Sequence, residues 1–330
     1  MAPLIKAINA EYSHTLSGDI CVYRGIVDHE WTVAAVPNGG YVLGLILESA
    51  IKNQSHTSHP DPIHVTAHFL RSATMGVFEV HIQILKPGRG FTNLTANLVQ
   101  EGVVKVTTQM IFGTLTPHPD SQDPKMTLEP PSPYARRIPF HTHPSKCSPQ
   151  ASVRPFGYKH YALMATDPVH KAKAKTAREG MEWGQYLTLT DPSERFTTSA
   201  LGFAADTFWA VDQILPSPWK EVRRASWSPT MVMTIEFKFP IPKSDDPDFS
   251  NRTVAIFSSG GFVNDPQSRH DAYVEVWTAP SNIGEGEEKE GWKEQQRCLA
   301  VSTQMAILVP FAVNRKRAQK PTNGGDGSKL

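Results

Sequence analysis

The chain of 330 residues has few cysteines, almost no net charge and no long apolar run. Its cysteines, Cys21, Cys147 and Cys298, stand far apart and match neither a metal-binding spacing nor a paired disulfide framework. A net charge of +1 argues against a nucleic-acid partner. No apolar run approaches the ~20 residues that cross a bilayer, and the first residues lack the apolar core of a secretory signal. We therefore expect a soluble, intracellular protein without a membrane span.

Two common catalytic signatures are also missing. The sequence has no GxSxG motif, which removes the serine route of the α/β-hydrolases. Its 13 histidines are scattered instead of grouped at metal-ligand spacings. We expect neither a metal nor another cofactor.

The sequence ends with the tripeptide Ser328, Lys329 and Leu330. SKL at a C-terminus is read by the peroxisomal import receptor. The residues before it are polar and rich in glycine, which favours a tail that is free in solvent. We therefore expect a peroxisomal location with the import receptor as a partner, and the chemistry of that compartment is largely acyl chemistry.

The chain is organised as two similar halves. Each half predicts one strand, then a long apolar segment, then four strands that are separated by turn signals. The apolar segments are residues 39–51 and 200–214. Between the halves lies a stretch dense in proline, serine and histidine that shows no periodicity. The predicted organisation is one unit at 1–114, a linker at 115–160, a second unit at 161–312 and a tail at 313–330.

A helix that is apolar on every side has to be enclosed by other elements. An antiparallel sheet wrapped around one central helix encloses it, and this is the hotdog arrangement. Two such units in one chain predict an α+β protein with a double-hotdog fold. The second apolar segment nevertheless carries a carboxylate, Asp206, in its middle.

Three segments of the first half resemble the acyl-CoA thioesterases of the thioesterase II type and the broader thioesterase-like superfamily. VPNGGYVLGLIL (36–47) resembles the Gly-Gly start of the family's first helix, and HVTAHFLRSATMG (64–76) resembles the strand that ends in FLRPG. LKPGRGFTNLTANLVQEG (85–102) resembles its basic turn before a strand. The family's proline is replaced here by Ser72. The resemblance covers most of residues 20–114 and 183–310.

The resemblance also implies a set of catalytic residues in the second half. In this family an Asp on the second helix, a Thr on the next strand and a Gln on the last strand converge on the attacking water. The matching positions are Asp206, Thr234 and Gln304. The implied substrate is an acyl-CoA, which water attacks directly without an acyl-enzyme. A buried ionised carboxylate is costly unless hydrogen bonds compensate it, and such a carboxylate is a stronger base than a free one.

Other residues are candidates for supporting roles. The backbone amides of Gly39 and Gly40 begin a helix and suit an oxyanion. Lys86 and Arg89, in the KPGRG turn, are candidates for the phosphates of CoA. Glu48, the lone charge of the first apolar segment, is an alternative catalytic carboxylate, or a helix-end residue that reaches a surface.

Two other functions stay open. Asp265 and His270 have the spacing of a hotdog enoyl-CoA hydratase or dehydratase motif, although its Asn and Pro are displaced. A non-catalytic acyl-ligand binder is the other alternative. Because two units in one chain already supply the paired hotdog, both a monomer and a homo-oligomer are compatible with the sequence.

Overall fold

The computed structural model describes residues 3–116, 127–130, 132–150, 156–174, 181–209, 214 and 226–314. The first half contains two helices and eight strands: α1 Leu4–Ala7, β1 Glu11–Leu16, β2 Ile20–Val27, β3 Thr32–Val33, β4 Val36–Pro37, α2 Gly39–Gln54, β5 Asp61–Phe69, β6 Gly76–Pro87, β7 Thr92–Gln100 and β8 Val103–Gly113. The second half contains β9 Ala162–Thr166, α3 Pro168–Lys173, β10 Met181–Leu189, α4 Leu201–Ala205, β11 Ser226–Trp227, β12 Thr230–Phe237, β13 Thr253–Gly260, β14 Val263–Asn264, β15 Arg269–Thr278, α5 Trp292–Gln295, β16 Cys298–Ala306 and β17 Val309–Pro310. No helix in these ranges is long and apolar enough to cross a membrane.

The two halves form one antiparallel sheet with mirrored strand orders. From its first edge inward the order is β1, β2, β6, β7, β8 and β5, and it continues from the centre outward as β12, β16, β15, β13, β10 and β9. The halves join where β5 pairs with β12, with Thr66 opposite Thr234. The internal duplication and the double-hotdog fold that the sequence predicts are therefore confirmed.

Alternating side chains explain why the strands form. In β7 the residues from Thr92 to Leu98 are alternately buried and half-buried. Leu94, Ala96 and Leu98 point toward the helices and belong to the main core. The predicted turn after β7 contains Glu101 and Gly102, both with positive φ, and returns the chain directly into β8.

The helix α2 lies against the concave side of the sheet and is almost completely buried. The side chain of Asn38 accepts a hydrogen bond from the backbone N–H of Tyr41 and so caps the helix start. The second helix is shorter than predicted. It ends at Ala205, where Asp206 and Thr207 donate to carbonyls three residues earlier and tighten the last turn. The predicted continuation at residues 210–213 lies outside the described residues.

The paired helices run antiparallel and approach each other through glycines. A Cβ at Gly40 would lie 2.2 Å from the carbonyl oxygen of Gly202, and one at Gly202 would lie 2.9 Å from the carbonyl oxygen of Gly40. Farther along α2, Gly44 lies beside Ser199, at the start of α4. The start of α2 therefore lies against the end of α4.

The described part of the predicted linker packs on the convex face of the second half of the sheet. Ile138, Phe140 and Cys147 form a second apolar cluster with strand residues such as Tyr186 and Trp277. Burial raises the pKa of the Cys147 thiol to about 11, so this cysteine is an apolar core residue. The predicted tail from residue 315 onward, with the SKL tripeptide, lies outside the described residues.

Candidate active site

Asp206 lies where the end of α4 meets the start of α2. Its Oδ2 accepts a hydrogen bond from the backbone N–H of Gly40 at 2.8 Å. Its Oδ1 accepts a longer one, at 3.4 Å, from the hydroxyl of Thr230 on β12. A half-buried carboxylate thus faces the positive end of a helix and is held on both oxygens.

Gln304 connects this carboxylate to the last long strand. Its Nε2 donates to the carbonyl oxygen of Ala205, the residue before Asp206, at 2.9 Å. Its Oε1 lies 3.4 Å from the Thr230 hydroxyl oxygen, whose single hydrogen is shared between Gln304 Oε1 and Asp206 Oδ1, so Thr230 lies between the two residues. The structure therefore brings Asp206 and Gln304 together, as the sequence predicts.

The environment of Asp206 makes it a stronger base than an exposed Asp. Burial raises its pKa from 3.8 to about 6, and the Gly40 amide and the side chains of Thr230 and Asn38 oppose that rise. A carboxylate with this pKa is ionised at neutral pH. It takes up a proton more readily than an ordinary Asp, which is the property that a general base requires.

This pKa predicts the acid limb of the rate profile. We expect kcat/KM for thioester cleavage to rise with pH around a midpoint near 6, because only the ionised form of Asp206 can accept a proton. Thiol release measured between pH 4 and pH 8 under conditions of low substrate gives this midpoint. A midpoint near 4 would mean that the working carboxylate is an exposed one.

Thr234 does not reach the site, contrary to the expectation. Its side chain points to the convex face, where its hydroxyl lies 2.6 Å from that of Thr303. The residues beside it, Met233 and Ile235, point into the core. A bulge between Thr230 and Val232 turns Thr230 inward, so Thr230 takes the position at the carboxylate.

Two matched substitutions on β12 test this assignment. Thr230→Val removes a hydrogen bond to a charged group, and we expect kcat/KM to fall by roughly 10- to 100-fold. Thr234→Val removes a hydroxyl on the opposite face, and we expect a change of less than about twofold. Thiol-release kinetics on both variants check the pair. An equal loss in both would contradict the placement.

The structure divides the roles of the two glycines that begin α2. The Gly40 amide, expected to serve an oxyanion, is already bonded to Asp206. The Gly39 amide is the first of the helix and has no intrahelical partner. A Cβ at Gly39 would lie 3.2 Å from Oδ2 of Asp206, so this amide is next to the carboxylate.

Glu48 occupies the position in α2 that Asp206 occupies at α4, but its surroundings differ. Its Oε2 accepts from the hydroxyl of Ser199 at 2.8 Å. A pseudo-twofold axis passes through the Thr66 and Thr234 pair and relates the two halves of the sheet. This symmetry places Pro62 at the counterpart of Thr230 and Met110 at the counterpart of Gln304. The site around Glu48 therefore has no counterpart of the Thr230 hydroxyl or of the Gln304 side-chain amide.

The N-terminal segment also covers this second position. Along one face of α2, Tyr41 donates to the carbonyl of Ala7, Gly44 lies beside Ile8, and Lys52 bonds to Asn9. Glu48 lies between Gly44 and Lys52 on that face, since residues three to four apart share a helix face. This placement agrees with a structural role for Glu48.

Lys86 and Arg89 lie at the other end of the sheet. Their turn is next to His59, which hydrogen-bonds to the carbonyl of Arg89 and precedes β5. Asp206 lies instead beside Gly39 and Phe69, where β5 ends. Eight residues of extended strand separate the two ends by about 26 Å. Lys86 and Arg89 therefore do not contact the carboxylate, and a role for them at the CoA phosphates stays a prediction.

The residues of the hydratase alternative do not form an acid-base pair. Asp265 is exposed in the hairpin between β14 and β15, and its bond to Pro266 is cis. His270 is buried on β15, and its Nδ1 lies 2.9 Å from the carbonyl of Ser268. Neither side chain lies in a loop that leads into a helix.

The mirrored strand orders and the paired central helices define the chain as a double-hotdog protein. Residues 27–113 match the family model of the acyl-CoA thioesterase N-terminal domain. The structure is similar to that of a protein from Thermobifida fusca named as a thioesterase II, with 21% identity and a TM-score of 0.67 over 94% of this chain and 98% of the other. Acyl-CoA thioesterase II TesB2 from Mycobacterium marinum gives 14% identity and a TM-score of 0.62 over 93% and 98%.

A curated relative matches a shorter stretch. The ustilagic acid biosynthesis cluster protein orf2 of Mycosarcoma maydis is 32% identical over 88 residues, or 26% of this chain. The match spans 22% of that relative's length.

Proposed function

We propose that the protein hydrolyses acyl-CoA thioesters to a free acid and CoA, with Asp206 as the general base. The observation that carries the proposal is the half-buried carboxylate at the start of α2, with a pKa of about 6. Asp206 takes a proton from water as the water oxygen attacks the thioester carbonyl carbon. When the C–S bond breaks, the thiolate leaves and takes that proton, which gives free CoA and regenerates the carboxylate.

The start of α2 supplies stabilisation for the negative charge that develops during attack. The Gly39 amide lies next to the carboxylate and belongs to the positive end of a 16-residue helix. A fixed N–H at such a point stabilises an oxyanion without reorganisation. Gln304 and Thr230 would then keep Asp206 oriented toward the water.

A panel of acyl-CoAs tests the proposal. We expect free thiol to appear with straight-chain, branched or hydroxylated acyl-CoAs in proportion to the acid produced. A hydratase would instead consume the absorbance of an enoyl-CoA without releasing thiol. A binder would retain acyl-CoA in equilibrium dialysis and release no thiol, so each alternative function has its own readout.

The acid product would serve either fatty-acid turnover or a specialised pathway. The similarity to a protein from the ustilagic acid biosynthesis cluster supports the second of these. We further propose a peroxisomal location through Ser328, Lys329 and Leu330. A fluorescent protein fused before residue 1 should co-localise with a peroxisomal marker, and removal of these three residues should make it diffuse.

A further inference from the structure

A strip of polar side chains lines the concave face of the sheet beside Asp206. Its members are all buried, with exposed fractions of 7% or less: Trp183, Gln185, Ser258, Ser302 and Gln304. They stand on three strands of the second half. Farther along the same face the inward residues are apolar, for example the paired Leu187 and Val254 in the main core. The polar strip is therefore confined to the end of the sheet at which Asp206 lies.

Hydrogen bonds fix this strip to the chain around Asp206. Gln185 Nε2 donates to the carbonyl of Thr207 at 2.7 Å, and the Ser258 hydroxyl donates to the carbonyl of Trp209 at 3.1 Å. The strip thus follows the backbone directly after the catalytic carboxylate. It lies on the interior side, whereas the bulky CoA moiety has to remain on the solvent side. The acyl group is the part of the substrate that would meet it.

Two polar atoms of the strip are buried without a hydrogen-bond partner. They are the indole Nε1 of Trp183 and the amide Oε1 of Gln185. The orientation of the Gln185 amide follows from its contact, because only its NH₂ group can donate to the Thr207 carbonyl. The ring of Trp183 is held by stacking on Trp209, with centroids 5.1 Å apart. One fixed donor and one fixed acceptor therefore stand two residues apart on β10.

In the first half, apolar residues stand at the counterparts of Ser258 and Gln304, whereas Tyr23 and Thr108 stand at the counterparts of Gln185 and Ser302. When the strand pairs are followed outward from the pseudo-twofold axis in both halves, Ile82 is the counterpart of Ser258 and Met110 is the counterpart of Gln304. Ile82 and Met110 are both 1% exposed and belong to the main core. Buried polar atoms without partners are rare because they cost stability, so they indicate a ligand contact when they adjoin an active site.

We propose that the acyl group of the substrate carries a hydroxyl close to the thioester carbonyl, and that Trp183 and Gln185 recognise it. This inference rests on the proposed function. A hydroxyl can accept from the indole N–H and donate to the amide oxygen, so one group satisfies both atoms. A keto oxygen would satisfy only the indole, and a methylene would satisfy neither. The site would thus select hydroxyacyl thioesters against plain fatty acyl thioesters.

Matched pairs of substrates test the selectivity. Butanoyl-CoA is compared with 2-hydroxy- and 3-hydroxybutanoyl-CoA, and hexanoyl-CoA with its hydroxy derivatives. We expect kcat/KM for the better hydroxyacyl-CoA to exceed that of the plain one by at least about tenfold, because the plain chain leaves both buried atoms unpaired. Trp183→Phe removes only the indole donor and should bring this ratio down by about tenfold.

A second variant and a control complete the design. Gln185→Leu should also lower the ratio, and because the ratio compares two substrates on one enzyme, any general loss of activity cancels. Leu187→Met, on the same strand and face but one step farther from Asp206, should leave the ratio unchanged. Equal cleavage of plain and hydroxylated substrates by the wild type would overturn the hydroxyl assignment while supporting the hydrolase. Release of thiol from none of them would refute the proposed function itself.

Discussion

Asp206→Asn should lower kcat/KM for acyl-CoA cleavage by roughly 10²- to 10⁴-fold, the range that general-base catalysis contributes. The substitution keeps the size of the side chain and an oxygen that can accept from the Gly40 amide. It removes the ability to take a proton from water. Thiol release, followed with excess enzyme to detect the residual rate, measures the loss. Circular dichroism should stay unchanged, since the helix pair and its hydrogen bond remain.

Glu48→Gln is the matched control on the other helix. Its contact with Ser199 can be made by an amide oxygen, so we expect wild-type folding and a rate within about twofold of the wild type. If Glu48→Gln lost the activity and Asp206→Asn kept it, the working carboxylate would lie in the first half, and the polar surroundings of Asp206 would need another explanation.

The titration of Asp206 should make the stability of the wild type depend on pH, and Asp206→Asn should remove this dependence. The pKa of Asp206 is about 6 in the folded state and 3.8 in the unfolded reference, so the folded state holds the proton more tightly. The free energy of unfolding therefore decreases as pH rises from about 4 through 6, by at most about 3 kcal/mol from this group. Urea unfolding should show this decrease for the wild type and not for Asp206→Asn. The free energy of unfolding is therefore lower when Asp206 is ionised than when it is protonated.

The sequence predicts the fold of this chain better than it predicts the geometry of the site. Apolar patterns and turn signals locate the strands that build the sheet, because burial on one face and tight turns leave direct traces in the residues. The Asp inside the apolar segment 200–214 marks the site because a charge there needs a structural reason. The Asn before the two glycines at residues 39 and 40 has the pattern of a helix cap, but the contact of the Gly40 amide with Asp206 has no trace in the sequence.

The error at Thr234 has a specific physical cause. Thr230 and Thr234 have the same parity, so in a regular strand both would lie on one face. The bulge between Thr230 and Val232 shifts that parity by one residue and places the two hydroxyls on opposite faces. A bulge is set by pairing with a neighbouring strand, which the order of residues within β12 does not reveal.

Gly40→Ala should destabilise the protein by at least about 3 kcal/mol and abolish most of its activity. A Cβ at this position would lie 2.2 Å from the carbonyl oxygen of Gly202 and 2.4 Å from Cβ of Asp206. Neither atom is the end of a flexible side chain, so the two helices would have to separate. Separation would lengthen the 2.8 Å hydrogen bond between the Gly40 amide and Asp206. Urea unfolding and thiol release measure the two effects.

Gly90→Ala serves as the control for the loss of a glycine, because a Cβ there meets nothing within 4 Å. We expect its unfolding free energy to stay within about 0.5 kcal/mol of the wild type. If Gly40→Ala lost activity while keeping wild-type stability, the helices would tolerate separation, and the close approach would serve only to hold the amide at Asp206. If it kept both, neither the helix contact nor that amide would be needed, and the proposed mechanism would be wrong.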